Sequence, residues 1–179
     1  MLAKPPNAVG NKPFMPDYIV DSVSDIDFDW LKNCGIKAVL IDLDGTVVDH
    51  GTFTVAPQLS DHLKKQSIDI YIATNRPKSR SLKDLRQSLN AKGVIHPVGI
   101  FIKPFLAYYK QAAKKHLLQP SEVAMIGDRY LQDVFGANQA GLTTILVRKL
   151  GKPKGFLDTQ ISRIEKIYTD KLAAFYVQV

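Results

Sequence analysis

Between residues 37 and 148 short apolar runs alternate with amphipathic segments of helical period, and few folds accommodate that alternation. Residues 37–43 predict a strand, 56–66 a helix, 68–73 (Ile68-Asp69-Ile70-Tyr71-Ile72-Ala73) a second strand and 78–90 a helix. A short strand is expected near Val98 to Phe101, then a helix over 104–117 with Pro104 in its first turn. Residues 122–126 read as a strand, 130–140 as a helix closed by Gly141, and 143–148 as the last strand. Strand, helix, strand, repeated, means an α/β fold: a doubly wound parallel sheet with helices on both faces. Ligands bind such sheets beyond the carboxyl ends of the strands.

The flanks divide the chain into three. Residues 1–12, with Pro5, Pro6 and Gly10, are expected to be a flexible arm, 13–155 the core, and 156–179 a C-terminal helix packed on it. In that helix Leu157, Ile161, Ile164, Tyr168, Leu172 and Phe175 form one apolar stripe, which is assigned to core packing. Phe14, Met15, Tyr18, Ile19 and Val20 form an apolar cluster expected against a sheet edge. With 179 residues and 45% hydrophobic side chains, one well-buried domain is the expectation.

The first residues lack the apolar core of a signal peptide, and no apolar stretch approaches the roughly 20 residues of a membrane span. A cytoplasmic protein, peripheral at a membrane at most, is expected. The single Cys34 fits a reducing compartment, and with Leu40 where a Cys-x5-Arg phosphate loop needs arginine it is expected to be a buried or half-buried structural thiol. A net charge of +7 suggests an anionic partner: a phosphorylated substrate, an acidic membrane surface or nucleic acid. Nucleic acid is disfavoured, because the aromatic and basic interleaving of single-strand binders is missing.

At the end of the first run stand Asp42 and Asp44, two residues apart and so on one side of an extended strand. Two carboxylates so placed either share a proton or are held ionised by a cation, and an all-oxygen site favours a hard ion such as Mg2+. Other polar residues follow the other strands: Thr74-Asn75-Arg76, Lys103, Gly127-Asp128-Arg129 and, five residues on, Asp133. Singly, each has a plain structural reading as a cap or a solvated loop residue. Together they converge on one sheet edge.

Asp42-Leu43-Asp44-Gly45-Thr46, Thr74, Lys103, and Gly127-Asp128 with Asp133 resemble, in that order, the four motifs of the haloacid dehalogenase (HAD) superfamily of phosphohydrolases. A closer similarity is to its subfamily IIIA, the YqeG-type branch that includes phosphatidylglycerophosphate (PGP) phosphatases. It is carried by Phe14-Met15-Pro16-Asp17, Lys103-Pro104 and Gly127-Asp128-Arg129-Tyr130-Leu131-Gln132-Asp133. The resemblance implies catalytic Asp42 and Asp44, with Asp42 attacking phosphorus and Asp44 acting as acid and base. It further implies Mg2+ held by Asp42, the Asp44 carbonyl and Asp128, with Asp133 in support. Thr74, Asn75 and Lys103 would then hold the phosphoryl oxygens.

Asp44, Thr74 and Lys103 follow one another too closely for an inserted cap domain, so a capless, open site is expected. It suits a lipid headgroup at a membrane, a macromolecule, or a small molecule closed in by a second subunit of a homo-oligomer. Arg76, Lys78, Arg80, Lys83, Arg86, Arg148, Lys149, Lys152 and Lys154 would form a basic rim toward an anionic bilayer. Asp49 and His50 are placed near the site, while His62, His96 and His116 are assigned structural roles. PGP is the first substrate choice. The alternatives are a soluble sugar phosphate, nucleotide or nucleic-acid terminal phosphate, and a non-catalytic binding protein of the same fold for an acidic partner.

Overall fold

The computed structural model describes residues 2–3, 13–97, 99, 102–115, 118–148, 150, 156–173 and 176–178. Its strands are β1 (Leu2–Ala3), β2 (Tyr18–Val20), β3 (Ala38–Asp42), β4 (Asp69–Ala73), β5 (Gly93–Ile95), β6 (Val123–Gly127), β7 (Thr143–Val147) and β8 (Val177–Gln178). They form one sheet in the order β5-β4-β3-β6-β7-β2-β1-β8. The pairs from β5 through β2 are parallel, while β1 joins β2 and β8 in antiparallel register.

The middle strands are buried on both faces, so they read as continuous apolar runs, and β3 and β6 are buried at every position. Alternate residues divide between two cores. On one face Val39, Ile41, Ile70, Ile72 and Ile126 pack with Phe28 and Leu31 of α1 (Phe28–Asn33), Leu59 and Leu63 of α2 (Pro57–Lys64), and Leu82 and Leu85 of α3 (Arg80–Ser88). On the other, Leu40, Tyr71 and Met125 meet Tyr108, Tyr109 and Ala112 of α4 (Leu106–Lys115) and Ala137 and Ala140 of α5 (Gly136–Ala140). Each fully buried leucine or isoleucine contributes about 2 kcal/mol relative to exposure. The fold is the doubly wound α/β architecture that the alternation predicts.

Several elements differ from their expected positions. The third strand lies at Gly93–Ile95, not near Val98 to Phe101; residues 98, 100 and 101 of that range fall outside the described residues. Gly93 lies close under the Tyr71 ring, and a Cβ at this position would stand a tight 3.3 Å from it. Residues 13–36 hold β2 and α1. β2 is secured to β7 by Asp17, whose amide donates to the Thr144 Oγ1 at 3.0 Å while its carboxylate accepts from the Thr144 amide at 2.9 Å. Cys34, expected to be buried or half-buried, is exposed, because α1 ends there and turns its last residues to solvent.

The segment expected as one helix over 130–140 opens as a π-helix, Tyr130–Phe135, before α5, and Gly141 closes it in the left-handed region at φ 82°. At the carboxyl side, α6 (Phe156–Ala173) packs through a polar face: Glu165 accepts from the Tyr130 amide at 3.2 Å, and the Tyr130 hydroxyl bonds Thr169 at 3.0 Å. Two residues of the expected apolar stripe, Ile161 and Ile164, are not in the core. Ile161 and Ile164 are 47% and 67% exposed, and Ile167 beside them 52%. The side chains of Leu157, Tyr168, Leu172 and Phe175 lie outside the described residues, as do residues 4–12 of the N-terminal arm and His116.

Candidate active site

Parallel pairing brings the ends of β3, β4 and β6 into line, with β3 between its two neighbours. Asp42 is the last residue of β3, Thr74 follows β4 and Asp128 follows β6, so three short loops converge at the carboxyl edge. All three side chains are buried, with Thr46, Lys103 and Asp133.

Lys103 is the pivot. A buried ammonium is tolerated only when anions surround it, and Lys103, 2% exposed, donates to the carboxylates of both Asp42 and Asp133, the latter at 2.7 Å. Burial pulls its pKa down, but the two carboxylates outweigh burial and hold it well above its ordinary value, so it stays charged. The Asn75 amide fixes the Lys103 peptide at both ends: its Oδ1 accepts from the Lys103 N–H at 2.9 Å, and its Nδ2 donates to the Lys103 carbonyl at 3.2 Å. The amide that the sequence placed toward a phosphate is thus engaged with the backbone of the site lysine. The following Lys103–Pro104 peptide is cis.

Asp133 reaches this centre because the π-helix turns it back. Its second oxygen accepts from the Arg129 N–H at 3.1 Å, and its carboxyl group lies against Gly127, where a Cβ would stand only 2.3 Å away. Any larger residue at 127 would displace the carboxylate that supports Lys103.

Asp128 supplies the clearest sign of a cation. Its Oδ1 accepts from the Thr46 hydroxyl at 3.3 Å, while its Oδ2 is buried without a hydrogen-bond donor among the described residues. An orphaned carboxylate oxygen at such depth is costly. Carboxylate oxygens of Asp42, Asp128 and Asp133 lie within 4.8 Å of one another. Burial raises Asp42 to about 7 despite Lys103, and burial with the charges of Asp42 and Asp133 raises Asp128 well above the usual carboxylate range. An all-oxygen cluster with one unsatisfied ligand atom fits a hard divalent cation.

Asp44 sits differently from the paired arrangement expected. β3 ends at Asp42 and Gly45 turns the chain at φ 85°, so the i, i+2 rule of an extended strand no longer applies at Asp44. Its carboxylate accepts from the Gly51 N–H at 2.8 Å and takes a two-pronged contact from Arg76, Nε at 2.8 Å and Nη2 at 2.5 Å. The cation beside Asp44 is Arg76. Burial raises the Asp44 pKa, but the Arg76 and Gly51 hydrogen bonds more than offset it and hold the carboxyl below its ordinary range. His50 Nδ1 stands 3.5 Å from the same carboxylate.

Arg76 is itself built in: Nη1 donates to the Thr52 carbonyl at 2.8 Å, and the Phe53 ring lies 4.5 Å below the guanidinium. From sequence, Arg76 stands at the strand end with Thr74 and Asn75 and in the basic rim, with no role of its own in the site. Its place directly after Thr74-Asn75 was the available signal for more. The Thr74 hydroxyl accepts from the Arg76 N–H at 3.1 Å, which leaves its own proton to donate. Of the other rim residues, Arg148 pairs with Asp21 at 2.5 Å and Asp170 at 3.6 Å, and Lys149, Lys152 and Lys154 fall outside the described residues.

The HAD-hydrolase-like family matches residues 100–165, which include Lys103, Asp128 and Asp133. The probable phosphatase YqeG of Bacillus subtilis is 29% identical over 163 residues, spanning 87% of this chain and 89% of that protein. Phosphatidylglycerophosphate phosphatase 1, chloroplastic/mitochondrial, of Arabidopsis thaliana is 27% identical over 164 residues; the match takes 84% of this chain and 46% of that longer one. Among solved structures, a HAD phosphatase from Thermococcus onnurineus shares the fold with a TM-score of 0.54, at 19% identity over 74% of this chain and 98% of its own. The family match over residues 100–165, the likeness to YqeG along most of both chains and the shared architecture agree in direction: this chain is similar to hydrolases of the haloacid dehalogenase type.

Proposed function

We propose that the chain is a capless, Mg2+-dependent phosphomonoesterase that works through an aspartyl-phosphate on Asp42, with PGP the leading substrate. The observation that carries this reading is the buried Asp42–Lys103–Asp133 chain beside the unsatisfied Asp128 oxygen. Asp42 attacks phosphorus, forming a new O–P bond as the bond to the leaving oxygen breaks, and Asp44, having left Arg76 and taken up a proton from solvent, gives that oxygen the proton. Asp44 then takes a proton from water as the water oxygen attacks phosphorus, and the Asp42–phosphorus bond breaks to release inorganic phosphate. Lys103 and the Thr74 hydroxyl hold the phosphoryl oxygens, where charge must be balanced in the transition state. Asp42, Asp128 and the Asp44 carbonyl would hold Mg2+, which supplies neutralising charge between phosphate and carboxylates.

A lipid phosphate is favoured by the relatives and by α6. The exposed Ile161, Ile164 and Ile167 form an apolar face on the helix that packs against Tyr130, two residues past Asp128. Of its acids, Glu165 is engaged at the Tyr130 amide and Asp170 lies near Arg148. Among the described residues no helix is long and apolar enough to cross a membrane, so contact would be peripheral. Changing the three isoleucines to serine should weaken sedimentation with anionic vesicles while leaving turnover of a soluble phosphomonoester near wild type. Vesicle binding indifferent to these changes would remove α6 from the membrane reading.

The central test is phosphate release from PGP in mixed micelles beside soluble phosphomonoesters, with Mg2+ and with excess EDTA. Release should require Mg2+. Undiminished release in EDTA would refute the metal assignment, and preference for a soluble ester would replace PGP. The same ion should govern stability. Asp42 and Asp128 bind protons more tightly folded than unfolded, so metal-free stability should fall as pH rises from about 4 through about 7. Mg2+ should raise Tm by mass action and flatten that fall. A metal-free Tm that climbs across this window would contradict the buried acidic cluster.

A further inference from the structure

Resting on that reading, we propose that Arg76 is a specificity residue that exchanges Asp44 for an anionic group carried by the leaving group of the substrate. The guanidinium is bound to the one carboxylate that must reach the leaving oxygen. Arg76 closes a fork on Asp44, and while that fork is closed neither Asp44 oxygen can turn to a substrate. Something must draw the fork open during turnover.

The surroundings show what can do so. Arg76 is anchored independently of Asp44, by the Thr52 carbonyl at 2.8 Å and the Phe53 ring at 4.5 Å, so it remains at the site when Asp44 leaves. Phe53 is 40% exposed and the Arg76 side chain 15%, so the guanidinium lies part-buried beneath an open ring, within reach of a ligand entering from that side. Phosphoryl oxygens on the nucleophile side are already met by Lys103 and Thr74. A planar fork facing the leaving-group side is matched by a second oxyanion, a phosphate or carboxylate, a few bonds beyond the scissile oxygen. Binding that anion replaces one charge-assisted pair by another and frees Asp44 at the moment substrate arrives. Esters without such a group must open the fork uncompensated.

The experiment compares soluble substrates, so membrane contact plays no part. Glycerol 3-phosphate has no second anion; glycerophosphoglycerol phosphate, the deacylated PGP headgroup, has a phosphodiester in its leaving group; fructose 1,6-bisphosphate has a second monoester. Wild type should favour the anion-bearing esters by about tenfold to a hundredfold in kcat/KM, the range of one charge-assisted hydrogen bond. Arg76→Gln should erase that ratio, and Arg76→Lys, which keeps the charge without the fork, should restore part of it. The better of the two anionic substrates assigns the source, lipid headgroup or sugar phosphate. Equal loss on all three substrates, or an intact ratio in a folded Arg76→Gln protein, would overturn the assignment. Release from glycerol 3-phosphate with no wild-type preference sinks Arg76 alone; no Mg2+-dependent release from any ester sinks the phosphatase reading with it.

Discussion

Asp42→Asn should release phosphate at least about 10³-fold more slowly than wild type, on every substrate and at every Mg2+ concentration, because the amide has no anionic oxygen to attack phosphorus. The change is nearly isosteric, and Lys103 keeps its contact with Asp133 at 2.7 Å, so the folded structure should survive with a similar circular dichroism spectrum. Residual activity of a tenth of wild type would rule out a covalent route through Asp42.

Lys103→Met should be damaged twice. Catalysis should fall by about 10²- to 10³-fold, the usual effect of removing one group that stabilises a transition-state oxyanion. Stability should fall as well, by about 3 to 5 kcal/mol, because Asp42 and Asp133 are left as buried charges without their shared cation. The two losses separate in the double variant Lys103→Met with Asp133→Asn, which removes one stranded charge: part of the Tm should return and the activity should not. A single variant that melts with wild type would mean that Lys103 is far less buried in solution than its 2% exposure requires.

The sheet was legible because its inner strands leave no polar positions: Val39-Leu40-Ile41 and Ala124-Met125-Ile126 face helices on both sides and can be read from apolarity alone. β5 differs from its expected position because the more apolar residues lie after it, while the strand itself begins at a glycine packed against the Tyr71 ring. β2 and α1 carried no periodic signal over so few residues, and β2 is defined by Asp17 and Thr144, a pairing between distant positions. At the site, spacing and strand ends brought Asp42, Thr74, Lys103, Asp128 and Asp133 to one place. It could not give the direction of the Asp44 carboxylate, which depends on a turn after β3 and on Arg76 arriving from another loop. The isoleucines of α6 show the same limit: a stripe names a face, and only the polar contacts of Glu165 and Thr169 decide which face the protein covers.

The pairing of β2 with β7 also sets a timetable during synthesis. Asp17 and Thr144, which clasp the two strands, stand 127 residues apart. At typical rates of translation, about 5 to 20 residues per second, β2 waits roughly 6 to 25 seconds for its partner to be made. In that interval β3 can already meet β4, so the strand of the nucleophile gains its first neighbour while the opposite edge of the sheet is still an open ribbon. Ile19 and Val20, buried in the finished fold, lack the β7 edge throughout that wait.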